Sequence, residues 1–136
     1  MNKILIEKIE YKARNYYFES PNFTKGINII TGKNGAGKTT FMNFIYYLLG
    51  GSIDGFNENS KERQAIIVED FEGYIRGHIQ INGEFYVLQR SILGKNRGII
   101  NITPDEGDSF NLQIDRTENI ITFSDWILNK LNIPPF

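Results

Sequence analysis

One stretch constrains the fold of this chain more than any other. Residues 31–40 read Thr-Gly-Lys-Asn-Gly-Ala-Gly-Lys-Thr-Thr and match the pattern G-x-x-x-x-G-K-[ST] at every fixed position. The preceding residues 26–30 form a short, β-branched run typical of a strand. Residues 41–49 have the length of a helix, which we expect to run from about Lys38 to Leu49 and to end at Gly50-Gly51. This order of strand, loop and helix predicts a loop that binds phosphate groups.

The residue types in this loop fit the chemistry of a nucleoside triphosphate. Glycines let main-chain N–H groups turn toward an anion, and the helix N-terminus adds a partial positive charge. Lys38 is the predicted catalytic residue, because its ammonium would reach the β- and γ-phosphates of ATP, and the Thr39 hydroxyl would ligate Mg²⁺. The other loop positions predicted to bind ATP are Gly32, Lys33, Asn34, Gly35, Ala36, Gly37 and Thr40.

Composition limits the remaining possibilities. The chain has 136 residues, which suits one domain with one core. Cysteine is absent and there is a single histidine, so disulfides and thiolate zinc sites are excluded. No apolar run is long enough to span a bilayer, and Glu7, Lys8 and Glu10 interrupt any signal peptide. We therefore expect a soluble cytoplasmic protein without a membrane partner.

The rest of the chain predicts mainly antiparallel strands. A strong hairpin signal comes from strict alternation at residues 74–81, the Asn82-Gly83 dipeptide and a second alternating run. Thr122 or Ser124 would cap a final helix. The predicted strands are residues 4–11, 16–19, 26–30, 65–71, 74–81, 84–90, 99–103 and 110–114. The predicted organisation is a P-loop core at about 1–50, an antiparallel subdomain at about 65–115 and a C-terminal helix at about 122–132.

At the loop G-x-N-G-A-G-K-T-T, the chain resembles the N-terminal head segment of the ABC-type ATPases of chromosome maintenance and DNA repair, namely the SMC proteins and their RecF and RecN relatives. The resemblance implies the α/β P-loop NTPase fold of the ABC-ATPase head, with this chain as its single N-terminal lobe. In that family a basic residue about a dozen positions before the Gly that opens the third strand contacts nucleotide phosphates. Arg14 stands twelve positions before Gly26 and would take this role.

The sequence departs from the family pattern in ways that bear on catalysis. A glutamine loop, an LSGGQ-like signature and a Walker B strand ending in Asp-Glu are not found at convincing positions. Residues 65–70 imitate a Walker B strand, but their order is Glu-Asp, which favours a plain strand of the meander. The resemblance therefore implies partners: a C-terminal lobe reached through a coiled coil, a second head in a homodimer or heterodimer, and DNA. Alone, this lobe would bind ATP and hydrolyse it at background rate.

Two other functions remain open at this point. A transporter-type ABC subunit is less favoured because of the polar loop at residues 50–64 and the meander, and a small P-loop kinase would need a metal-binding carboxylate that only residues 65–70 could offer. Several side chains also have two interpretations. Tyr16, Tyr17 and Phe18 would stack on adenine or pack within the protein, and Arg90, Lys95 and Arg97 would contact DNA phosphates or form an exposed turn. His78 is expected on the solvent face and Trp126 in the core.

Overall fold

An antiparallel sheet with a helix packed on one face forms the described part of the chain. The computed structural model describes residues 3–23, 38–56, 61, 65–68, 72–117 and 120–133. The predicted strand at residues 26–30 and the loop at residues 31–37 lie outside these ranges. Within the described ranges, no helix is both long and apolar enough to cross a membrane.

Within the described residues the sheet has six strands in the order β2-β1-β3-β4-β5-β6, and every neighbouring pair among them is antiparallel. The first strand in the chain therefore lies beside β3, which links the N-terminal segment to the meander. The strands are β1 (Ile4–Lys12), β2 (Tyr17–Glu19), β3 (Tyr74–Ile81), β4 (Glu84–Ser91), β5 (Ile99–Pro104) and β6 (Phe110–Gln113). The predicted α/β class with an antiparallel meander is confirmed.

Alternation along the strands places one face of the sheet in the core. In β3, Ile75, Ile79 and Ile81 are buried together with Gly77, whereas the residues that alternate with them are partly exposed, as the sequence pattern predicts. The hairpin at Asn82-Gly83 is also confirmed. Both residues have positive φ, 50° and 84°, which is the geometry of a type I′ turn and explains why this dipeptide is preferred.

Three α-helices complete the described part: α1 (Lys38–Leu48), α2 (Ala65–Val68) and α3 (Phe123–Lys130). Helix α3 begins at Thr122, whose hydroxyl accepts a hydrogen bond from the Asp125 N–H while the Asp125 carboxylate accepts one from the Thr122 N–H. This capping box satisfies two N–H groups at the helix start. Trp126 packs against the core between Tyr86 and Phe123, as expected from the sequence.

The prediction for residues 65–71 is wrong where the structure describes them. Residues 65–68 form the short helix α2 instead of a strand, and Ile67 and Val68 are buried. A run of four apolar residues fits a buried helical turn as well as a buried strand, so periodicity could not decide between them. Because this segment is helical, it is neither a meander strand nor a Walker B strand.

Candidate functional site

Helix α1 begins at Lys38, the lysine of the phosphate-loop pattern. Thr39 and Thr40 follow in its first turn, and that turn carries no acidic residue. The first N–H groups of a helix have no partner within the helix and attract anions, and an acidic side chain there would compete with a phosphate. The start of α1 is therefore chemically suited to bind phosphate. Gly32, Lys33, Asn34, Gly35, Ala36 and Gly37 lie outside the described residues.

Arg14 lies in the turn between β1 and β2 and is exposed to solvent. The Ala13 N–H donates to the Tyr16 carbonyl across this turn at 3.0 Å. Strand β2 also contacts the first half of α1, because the Phe18 ring meets the Phe41 ring edge to face at 6.0 Å. The hairpin that carries Arg14 is thus attached to the helix that begins at Lys38. The predicted contact between Arg14 and phosphate stays a prediction.

A row of aromatic rings holds α1 against the sheet. Phe41, Phe44 and Tyr47 are buried on the face of the helix that meets β1 and β3. The Phe44 ring stacks on Tyr11 of β1 at 5.3 Å with an interplanar angle of 12°. The Tyr47 ring meets Phe56 edge to face at 5.2 Å. Stacked and edge-to-face pairs of this kind add about 0.5–1.5 kcal/mol each beyond the area they bury.

A glycine in β3 lets α1 approach the sheet closely. A Cβ atom at Gly77 would lie 2.3 Å from the Leu48 Cδ2 atom and 3.2 Å from the Ile9 Cδ1 atom. Any larger residue at this position would have to displace the last turn of α1 or its neighbours. Gly77 was not singled out in the sequence, although a glycine within a strict alternation is a known sign of close approach.

Arg90 of β4 binds the carboxyl end of α1. Its Nη1 atom donates to the carbonyls of Tyr47 at 2.7 Å and Gly51 at 2.8 Å, and its Nε atom donates to the Arg97 carbonyl at 2.7 Å. The guanidinium carbon lies 3.7 Å from the centroid of the Tyr47 ring. The last turn of α1 has no basic residue of its own, so Arg90 supplies the positive charge that favours a helix C-terminus.

Both sequence interpretations of Arg90 are wrong. The side chain is 6% exposed, so it neither lies in an exposed turn nor contacts DNA phosphates. Burial lowers the pKa of Arg90 from its ordinary value, but an arginine stays charged in a protein. The main-chain carbonyls and the Tyr47 ring therefore replace the water that this charge loses. The Tyr47 hydroxyl in turn donates to the Ser91 carbonyl at 2.7 Å, which fixes the ring.

The aromatic residues in β2 and directly before it are largely exposed. Tyr16 is 53% and Tyr17 is 55% exposed, while Phe18 packs against α1 through Phe41 and Phe44. Phe18 therefore fits the packing interpretation. Tyr17 donates a hydrogen bond to the Glu19 carboxylate, which also pairs with Lys8. On the same solvent face His78 bonds to Glu10 at 2.8 Å, so its predicted placement is confirmed.

Comparisons with known proteins agree with the resemblance of the loop. A family model described as AAA domain (AAA_23) matches residues 13–132. The DNA replication and repair protein RecF of Lachnospira eligens is 31% identical over 98 residues, which cover 71% of this chain and 26% of that protein. RecF of Tropheryma whipplei is 51% identical over 51 residues, or 37% of this chain and 14% of that protein. RecF of Geobacillus kaustophilus is 51% identical over 35 residues, or 26% and 9% respectively.

Proposed function

This chain belongs to the AAA domain family, as a head segment of the RecF and SMC type of ATPase, and on that premise we propose that it binds ATP. The matched region spans only about a quarter, 26%, of the first RecF relative, so what the whole protein does is part of the proposal. The observation that carries the proposal is that α1 begins at Lys38, directly after the glycine-rich pattern at residues 32–37.

In this proposal each residue of the loop has one task. The main-chain N–H groups of residues 32–37 surround the phosphates, Lys38 neutralises the β- and γ-phosphates, and Arg14 adds a further cation from the β1–β2 turn. Thr39 holds Mg²⁺, which lowers the repulsion between phosphate oxygens when bound. A hydroxyl and phosphate oxygens are ligands that Mg²⁺ prefers, so the residues present fit this ion.

The proposed role of the site is to form one half of a composite ATPase. ATP would lie between this lobe and a second head, and hydrolysis would follow once a C-terminal lobe provides the signature and Walker B residues. The relatives are named as DNA replication and repair proteins, which supports DNA as the partner of the complete cytoplasmic assembly. These names also favour this function over the transporter subunit and the small kinase.

The first experiment measures binding of Mg-ATP to the 136-residue protein by isothermal titration calorimetry. We expect saturable binding that Lys38→Ala weakens about tenfold or more, because an ionic contact to phosphate is lost. Thr39→Ala should reduce the dependence of affinity on Mg²⁺ while leaving residual binding of free ATP. The matched control is Lys61→Ala, which removes an exposed lysine outside the loop. Equal affinity of Lys38→Ala and the unmodified protein would contradict the proposal.

A further inference from the structure

The contacts of α1 divide into two kinds that constrain it differently. The aromatic contacts of Phe41, Phe44 and Tyr47 hold the helix against the sheet, but apolar contacts are less directional than hydrogen bonds and constrain the position of α1 along its axis less tightly. The hydrogen bonds of Arg90 are directional, and two of them end on carbonyls at the C-terminal end of the helix. Together with the Tyr47 hydroxyl, which donates to the Ser91 carbonyl, Arg90 therefore adds directional bonds that constrain the position of α1 along its axis.

We propose that Arg90 is a positioning residue for nucleotide binding, which acts through α1 on the phosphate site at the other end of the helix. An α-helix is stiff over eleven residues, so a shift at residues 47–51 moves Lys38 and the first N–H groups with it. Phosphate contacts are sensitive to displacements below 1 Å. This inference rests on the proposed function, because it names a residue that sets the geometry of the same site.

The geometry requires an arginine at position 90 specifically. Nη1 donates to the Tyr47 and Gly51 carbonyls, Nε donates to the Arg97 carbonyl, and the guanidinium carbon lies 3.7 Å from the centroid of the Tyr47 ring. A lysine ends in a single nitrogen, so it cannot replace both the Nη1 donor to the carbonyls of Tyr47 and Gly51 and the separate Nε donor to the carbonyl of Arg97. Because the Arg97 carbonyl belongs to the turn between β4 and β5, Arg90 ties α1 to that turn as well as to β4.

The test compares Arg90→Lys and Arg90→Met with the unmodified protein at a temperature at which circular dichroism shows each to be folded. We expect Arg90→Met to weaken Mg-ATP binding about tenfold and Arg90→Lys to weaken it about threefold, since misplacement of contacts lowers affinity steeply. The matched control is Ile102→Ala. Ile102 is fully buried on β5 opposite Leu88 and Phe110, so this variant loses stability without removing a contact at the end of α1. Its affinity should stay within about twofold.

A second measurement keeps the two proposals separable. In the nucleotide-free protein, NMR amide shifts of residues 38–42 should change in both Arg90 variants and stay unchanged in Ile102→Ala. Two results would overturn the positioning role of Arg90. One is amide shift changes confined to residues 47–51 and 90–98, and the other is unchanged Mg-ATP affinity in both Arg90 variants. If the unmodified protein does not bind ATP, the proposed function fails, and the amide shifts still decide whether Arg90 positions the start of α1. If Arg90→Met does not fold, Arg90→Lys decides.

Discussion

Tyr17 and Glu19 are two residues apart in β2, and their side chains meet on the solvent face of the sheet. The hydrogen bond to the Glu19 carboxylate, followed by partial burial and nearby negative charge, raises the pKa of Tyr17 to about 12. The hydrogen bond from Lys8 lowers the pKa of Glu19. Lys8, Tyr17 and Glu19 therefore titrate as a linked group that joins β1 to β2.

This group gives the first prediction at the residue scale. Glu19→Gln should lower the pKa of Tyr17 toward the ordinary value of about 10, because a neutral amide no longer favours the protonated phenol. The contribution of the pair to stability is full between about pH 4.5, the ordinary pKa of a glutamate, and pH 10, the ordinary pKa of a tyrosine. It is lost as pH rises toward about 12 or falls through the lowered pKa of Glu19. Tyrosine absorbance or NMR titration measures the shift, with Tyr17→Phe identifying the signal. An unchanged Tyr17 pKa in Glu19→Gln would refute the coupling.

Single residues also show what the sequence could and could not predict. Alternation in β4 places Arg90 on the same face as Tyr86 and Leu88, so the strand pattern predicts that its side chain points toward the core. The sequence does not predict the hydrogen-bond partners of Arg90, because the carbonyls of Tyr47 and Gly51 lie 43 and 39 residues earlier in the chain. Local patterns indicate which side a residue faces but not what it meets there.

At the scale of elements, the close approach of α1 to β3 depends on the absence of a side chain at Gly77. Gly77→Ala should lower the free energy of unfolding by about 1–3 kcal/mol, because the added methyl overlaps Leu48. Combined with Leu48→Ala, which leaves room for this methyl, the effects should be less than additive. Urea denaturation measures both.

The matched control for this substitution is Gly98→Ala. A Cβ atom at Gly98 would have no neighbour within 4 Å, so the change should alter stability by no more than about 0.5 kcal/mol. Gly94 is unsuitable as a control because its φ of 92° would be strained in alanine. If Gly77→Ala and Gly98→Ala were equally stable, the close helix packing would not depend on Gly77.

Most elements were predictable from the sequence, including the short strands β2 and β6, whereas the short helix α2 was not. Helix α1, strands β3 to β6 and the capped helix α3 agree with the sequence to within about two residues. The short helix α2 was missed because four consecutive apolar residues carry no period. Its Ile67 is buried in the same core cluster as Phe56, so tertiary contacts accompany the helical turn.

For the whole molecule, we predict that the 136-residue protein alone hydrolyses ATP at background rate. Hydrolysis needs a carboxylate to orient water in addition to phosphate contacts and Mg²⁺, and in the proposed composite site the C-terminal lobe provides that carboxylate. Phosphate release measured with the unmodified protein and Lys38→Ala should give the same rate. Turnover that Lys38→Ala abolishes would show that this chain contains a complete catalytic site.

The arrangement of the whole sheet was only partly predictable. Loop motif and element order indicated the family, and the family model matches residues 13–132. The sequence did not indicate that β1 pairs with β3, since the two strands are about 70 residues apart in register, as in Ile9 opposite Gly77. This pairing makes the N-terminal strands and the meander one continuous sheet, to which α1 is attached from one side.

Trp126 gives the protein a built-in optical probe, because it is the only tryptophan of the chain. Its indole is surrounded by Tyr86 at 5.1 Å, Phe123 at 6.0 Å and Phe110 at 6.1 Å, which come from β4, α3 and β6. The fluorescence emission of Trp126 should therefore change when β4, α3 and β6 separate during unfolding. Heating with and without Mg-ATP while recording the emission thus converts ligand binding into a shift of a melting midpoint, without a dye or an added label.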